Sequence, residues 1–342
     1  MTQALVVDDS HFMRTVITDI LEDAGIDVVD QATNGREAVE LVEEQDPDVV
    51  TMDVEMPEMN GIEAVEAIMD RHPVPIMMLS ALTTDGADAT LQAMDEGAVD
   101  FFAKPSGTIS TDLSSHADRL VQTVESVASS DPTATAVPQT RSRSTAGGEY
   151  VSNPTLVIGA STGGPKVVES ILSALPRAAD LRILVVQHMP DQFTERFAKR
   201  LDGASEYDVR EASDGDRIGG GEALVAKGDY HMVVSGYSSG RLRVKLEQSE
   251  PVHSVRPAID VTMESVAETI TDPVTAAVLT GMGSDGAAGV TAIDGAGGTI
   301  LAQDEQTSAV FGIPGRAIET GCVDGVHPAE DLPDAILETI QE

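Results

Sequence analysis

The chain has 342 residues, enough for two domains that each bury a core. Aspartate and glutamate number 58 against 21 lysines and arginines, a formal net charge of −37, which argues against nucleic-acid or anionic-lipid partners. The single cysteine, Cys322, excludes a disulfide framework and a cysteine-rich metal site.

Tryptophan is absent and aromatics make up 3% of the chain, so the cores must rest on Val, Ile, Leu, Ala and Met. The acids are spread along the whole sequence rather than gathered in one block. That pattern reads as adaptation to a salt-rich cytoplasm, where molar salt shortens the Debye length to about 3 Å. The opening MTQALVVDDS carries no basic segment and does not read as a signal peptide. No apolar run approaches the roughly 18 residues that span a bilayer. A cytoplasmic protein without direct membrane insertion is expected.

Short apolar runs stand at 3–7 (QALVV), 48–52 (DVVTM), 75–79 (PIMML) and 99–102 (VDFF), with amphipathic helical patterns at 11–25, 35–45 and 61–71. This alternation predicts a doubly wound (βα)5 unit, a parallel sheet with helices on both faces. An amphipathic stretch at 120–128 ends the pattern, and residues 129–152 are rich in Ser, Thr, Pro and Gly. The boundaries are placed at 1–120 for the first domain, 121–152 for the linker and 153–342 for the second domain.

In open α/β sheets, functional groups gather at the carboxyl ends of the strands. Asp8 and Asp9 follow the first strand and Asp53 the third, which brings three carboxylates together. Carboxylates so close repel unless a hard cation sits among them, and Mg²⁺ with a phosphoryl oxygen suits such a set. Ser80 after the fourth strand and Lys104 after the fifth would contact the phosphoryl oxygens, with Pro105 stiffening the loop beyond. Aspartates also cap helices and are abundant here. That reading serves for Asp8 alone, but not for five residues each at the end of the right strand. The pattern resembles the receiver domain of two-component response regulators over residues 1 to about 120. The resemblance implies that Asp53 takes a phosphoryl group from a histidine kinase and that Ser80 and Phe101 switch on phosphorylation. Phe101 reads equally well as a core aromatic.

The second domain opens with TLVIG (155–159), a helix and RILVVQ (182–187). A strand-rich stretch at 207–247 reads as a β-hairpin excursion. A helix at 258–270, then VTAAVLTG (274–281), GTILAQ (298–303) and a last strand near 321–325 complete a second doubly wound parallel sheet. The turn Gly159-Ala160-Ser161-Thr162-Gly163 is a GxSxG, which presents a serine on a tight strand-to-helix turn. Dinucleotide sites also use Gly-rich turns here, but G-x-G-x-x-G needs glycine where Ser161 stands, and no P-loop lysine follows. Four histidines are available as a base: His188, His231, His253 and His327. His188 follows the next strand, so its ring should reach the same sheet edge as Ser161. Asp285, in the glycine-rich loop 281–286, can accept the imidazole N–H. Capping of the next helix is the competing reading on spacing alone.

The segments IGASTGGP (158–165), QHMP (187–190), HSVRPAID (253–260), LTGMGSDGAAG (279–289) and AQDEQTSAVFGIPGRAI (302–318) together resemble the CheB family, across both domains. These are chemotaxis response regulators that act as protein-glutamate methylesterases. The resemblance implies Ser161 as nucleophile, His188 as general base and acid, and Asp285 as orienting carboxylate, with no cofactor for the esterase. Backbone N–H groups of Thr162 and Met282 are the candidates for an oxyanion hole. The implied substrates are glutamate methyl esters, and glutamines for deamidation, on the cytoplasmic domains of methyl-accepting chemoreceptors. The implied phosphodonor is a chemotaxis histidine kinase, with the receiver covering the catalytic face until phosphorylated. Arg196, Lys199, Arg200 and Arg256 are the basic candidates for receptor docking. Two rivals stand beside this reading: a non-catalytic, phosphorylation-controlled receptor adaptor, and a receiver-controlled hydrolase of a small soluble ester.

Overall fold

The computed structural model describes residues 1–81, 83–104, 116–130 and 150–342. Pro105 and most of the linker lie outside the described residues. The chain divides into two compact units, Met1–Ala136 and Val137–Glu342.

In the first unit, strands β1 (Gln3–Val7), β2 (Asp27–Ala32), β3 (Val49–Asp53), β4 (Ile76–Ala81) and β5 (Asp100–Lys104) pair in parallel, in the order β2-β1-β3-β4-β5. β1 and β3 are buried along almost their whole length, as helices on both faces require. β2 was absent from the apolar runs because it is a half-exposed edge strand, DVVDQA, that buries only Ala32 fully. Side chains fix where the helices start. Ser10 accepts from Met13 N before helix His11–Asp23, and Asn34 from Glu37 N before Gly35–Gln45. Asn60 and Glu63 form a reciprocal capping box at the start of Gly61–Arg71. Helix Ala117–Ala128 buries Leu120, Val124 and Val127 against β3, β4 and β5. The first unit therefore runs past residue 120, where the boundary was placed from sequence.

The second unit holds β6 (Thr155–Ala160), β7 (Arg182–Gln187), β8 (Asp208–Glu211), β9 (Arg217–Ile218), β10 (Glu222–Val225), β11 (His231–Ser238), β12 (Arg241–Glu247), β13 (Val274–Val278), β14 (Thr299–Gln303) and β15 (Gly325–His327). Seven strands make a parallel sheet in the order β15-β14-β13-β6-β7-β10-β8, while β11, β12 and β9 form a small antiparallel sheet. The hairpin excursion is thus narrower than the 207–247 stretch, because β8 and β10 join the main sheet. The last strand lies later than 321–325, and His327 ends it opposite Gln303 rather than following it. Strands β6 and β7 at the centre are buried throughout, and their carboxyl ends carry Ser161 and His188. Among the described residues, no helix is long and apolar enough to cross a membrane.

Candidate active site and phosphoacceptor site

Ser161 is the first residue beyond β6, and the turn through Thr162 and Gly163 leads into helix Gly164–Ala174, with Pro165 in its first turn. Gly163 has φ +75°, and a Cβ there would meet the Ala309 Cβ at 2.6 Å. Gly281 backs the serine closely: a Cβ on it would stand 2.6 Å from the Ser161 Cβ. The serine backbone is held from two sides. Its N–H donates to Thr280 O at 3.0 Å, and its carbonyl accepts from Gln187 Nε2 at 2.8 Å. The Thr280 hydroxyl in turn donates to Thr162 O at 2.9 Å. Ser161 Oγ has no hydrogen-bond partner among the described residues, nor do the backbone N–H groups of Thr162 and Met282.

His188 follows β7 and is set beside β6 by its N–H, which donates to Ala160 O at 3.0 Å. Its Nε2 lies 2.8 Å from Asp285 Oδ2. Asp285 is 2% exposed and also accepts the Ile259 N–H at 2.7 Å and the Asp260 N–H at 2.9 Å. Burial pushes its pKa up, but the hydrogen bond and charge of His188 and the two backbone N–H groups outweigh burial and hold it below the ordinary value. An ionised carboxylate only accepts, so His188 Nε2 carries a hydrogen and donates it to Asp285. Asp285 binds His188, as one sequence reading expected, and it also caps a helix. That helix is Ile259–Thr269, however, not the next one in the chain.

The other histidines have different surroundings. His231 is fully buried, accepting the Ala258 N–H on Nδ1 at 3.2 Å, and burial lowers its pKa. His253 lies 2.8 Å from Asp260, and His327 stays in β15. Of the basic docking candidates, Lys199 pairs with Glu195, Arg200 with Glu169, and Arg256 donates to Ser249 O.

In the first unit, ligand oxygens of Asp8, Asp9 and Asp53 lie within 4.8 Å of one another. Lys104 Nζ bridges two of them, 2.8 Å from Asp8 Oδ2 and 2.8 Å from Asp53 Oδ1. Burial pushes the Asp53 carboxyl up to about 6; Lys104 opposes this and the Asp8 charge adds to it. Burial lowers the Lys104 pKa, but the Asp53 and Asp8 carboxylates outweigh it, and the net shift is upward. Ser80 is fully buried, its Oγ 2.7 Å from Thr90 Oγ1 and 3.2 Å from Gly86 O, engaged with helix Thr84–Glu96. Phe101 is half-buried and packs against the core.

Gln187, Thr280 and Asp260 were not singled out for roles in the sequence, although each lies within a motif quoted there. Their contacts run between segments far apart in the chain, and spacing does not show these.

The fold and its two sites define a class: a response regulator whose output domain carries a hydrolase-type serine, histidine and aspartate. Residues 4–112 match the response regulator receiver domain and residues 156–336 match the CheB methylesterase. The chain belongs to the CheB methylesterase family. A protein-glutamate methylesterase/protein-glutamine glutaminase of Halobacterium salinarum is 66% identical over 348 residues, covering 100% of this chain and 99% of that protein. One of the same name from Natronomonas pharaonis is 61% identical over 345 residues, covering 98% and 97%. The crystal structure of the Thermotoga maritima CheB methylesterase catalytic domain aligns with TM-score 0.52 and 40% identity, over 54% of this chain and 98% of that one.

Proposed function

We propose that the chain is a phosphorylation-controlled serine hydrolase that removes methyl esters from glutamates of chemoreceptors and deamidates receptor glutamines. The observation that carries the reading is the 2.8 Å His188–Asp285 pair at the sheet edge where Ser161 follows the neighbouring strand. Ser161 Oγ attacks the ester carbonyl while His188 Nδ1 takes its proton. Asp285 stabilises the imidazolium and keeps the other ring nitrogen engaged. The oxyanion rests on the Thr162 and Met282 N–H groups, each typically worth about 3 kcal/mol. His188 returns the proton to the leaving methoxide, and methanol departs. Water, deprotonated by His188, then cleaves the acyl-serine to release a free glutamate and restore Ser161. A glutamine follows the same path with ammonia leaving, more slowly, because an amide is the poorer leaving group.

Control lies at Asp53, which accepts a phosphoryl group from a chemotaxis histidine kinase. Three crowded carboxylates, with Asp53 pushed up to about 6, suit a divalent cation. Asp8, Asp9 and Asp53 would hold Mg²⁺, which supplies charge neutralisation for the incoming phosphoryl oxygens. Lys104 is placed to bind the same oxygens. Ser80 would turn from Gly86 toward them, and Phe101 would follow inward. The substrates are the cytoplasmic domains of methyl-accepting receptors, which puts the enzyme in the cytoplasm.

The relatives' shared name as methylesterase and glutaminase, with all three residues present, argues against a non-catalytic adaptor. The test is methanol release from methylated receptor membranes in molar salt. Ser161→Ala should reduce release to background; absence of release from the wild type would leave the adaptor.

A further inference from the structure

Asp260 and His253 lie outside the triad, yet one hydrogen-bond system includes them. Asp260 is 4% exposed and is the second residue of helix Ile259–Thr269. Its Oδ1 accepts the Gly286 N–H at 2.8 Å and the Gly289 N–H at 2.7 Å, across the start of helix Ala287–Gly295. Asp285 does the converse, accepting the Ile259 and Asp260 N–H groups at the start of Ile259–Thr269. Each aspartate thus caps the helix next to the other, where orphan N–H groups and the helix dipole favour a negative charge. The two helices approach closely enough that a Cβ on Gly289 would meet the Met263 Cβ at 2.6 Å. The remaining Asp260 oxygen, Oδ2, lies 2.8 Å from His253 Nε2, and His253 Nδ1 stands 3.5 Å from Ser284 Oγ, one residue before Asp285.

His253, Asp260 and Asp285 also present three ligand atoms within 4.8 Å of one another, the geometry of a cation site. The hydrogen bonds speak against a cation. Every carboxylate oxygen of both aspartates already accepts from a backbone N–H or an imidazole. A cation would have to displace those donors.

We propose that Asp260, held by His253, is a positioning residue for the esterase: it fixes the loop that carries Asp285, and so the orientation of His188. This rests on the proposed triad. Asp260 Oδ1 holds the Gly286 N–H next to Asp285 and the Gly289 N–H one turn on, so losing the Asp260 side chain removes that hold on the loop that carries Asp285. A shift of about 1 Å in such a group costs about 100-fold in rate. Asparagine keeps an oxygen for the two glycine N–H groups and loses only the acceptor for His253, so it should preserve most of the geometry. His188, His253, His231 and Glu264 are the other titratable groups around the pair, His231 and Glu264 both sensing the Asp285 charge.

The test compares full-length wild type, Asp260→Ala, Asp260→Asn, His253→Gln and Ser161→Ala in molar salt. Methanol release from methylated receptor membranes is followed across pH, with thermal melting alongside. Asp260→Ala should lower kcat about 100-fold at little change in KM. It should also move the acid limb of kcat/KM to lower pH, because the imidazolium loses its aligned counter-charge. Asp260→Asn should recover to within about 10-fold of wild type, and His253→Gln should fall between the two variants. A loss of folded enzyme alone lowers kcat without moving the limb. If Asp260→Ala keeps the wild-type limb, or if Asp260→Asn is as impaired as Asp260→Ala while melting normally, the positioning role is overturned. Should Asp260→Ala fail to fold, a wild-type limb and wild-type kcat in both Asp260→Asn and His253→Gln overturn it as well. Failure of the underlying reading shows separately, as wild-type release that survives Ser161→Ala.

Discussion

Asp285 serves a histidine and a helix with the same carboxylate. The Asp285→Asn variant should keep the fold but present the wrong hydrogen to His188; in a comparable triad such a change cost about 10⁴-fold in kcat. Steady-state methanol release checks it. Stability gives a second readout. The folded pKa of Asp285 lies below the ordinary 3.8, so its contribution is present above pH 3.8 and is lost as pH falls through the folded value. Denaturation of wild type and Asp285→Asn should therefore differ at pH 7 and converge in strong acid. Gly281 is constrained sterically. An alanine Cβ would lie 2.6 Å from the Ser161 Cβ and 2.9 Å from its nitrogen, so Gly281→Ala should displace the nucleophile and lower kcat at least about 10-fold. Ser161, His188 and Asp285 were legible because each follows a recognisable apolar strand. The cap that Asp285 forms was not, since it joins residues 25 and 26 positions apart in the chain.

Elements in this chain are held by a few polar devices set in an apolar frame. Arg182, fully buried at the start of β7, donates to the carbonyls of Gly240 and Asn153, lies 3.6 Å from Asp272 and stacks 4.9 Å from the Tyr237 ring. Tyr237 also donates to Asp272. These contacts tie the β11–β12 hairpin to the main sheet. Arg182→Ala strands a set of acceptors and a carboxylate, and should cost about 3 kcal/mol, read by urea denaturation. The capping box at Asn60 is a smaller device, and Asn60→Ala should cost about 1 kcal/mol. Strands buried on both faces, such as β6 and β7, show in the sequence as plain apolar runs. The edge strand β2, with Asp27, Asp30 and Gln31 among its six residues, did not stand out. The division of 207–247 between two sheets was equally hidden, because β8 and β10 look like hairpin strands until their parallel partners are known.

At the scale of the whole molecule, charge and coupling dominate. A net charge of −37 makes the folded state repel itself at low ionic strength. Raising KCl from about 0.2 M to about 3 M should raise the melting temperature substantially, as screening shortens to a few ångströms. A melting temperature independent of salt would contradict that account. Family membership was legible from five separated motifs, all of them in the second unit. The coupling of receiver to esterase is the central claim, and one assay reaches both sites. Methanol release from methylated receptor membranes in molar salt, with and without a small phosphodonor and Mg²⁺, is measured for wild type, Asp53→Asn and Ser161→Ala. The account predicts release that depends on Ser161 and rises with phosphodonor only when Asp53 is intact, while Asp53→Asn keeps the basal rate. Stimulation that persists in Asp53→Asn would contradict it.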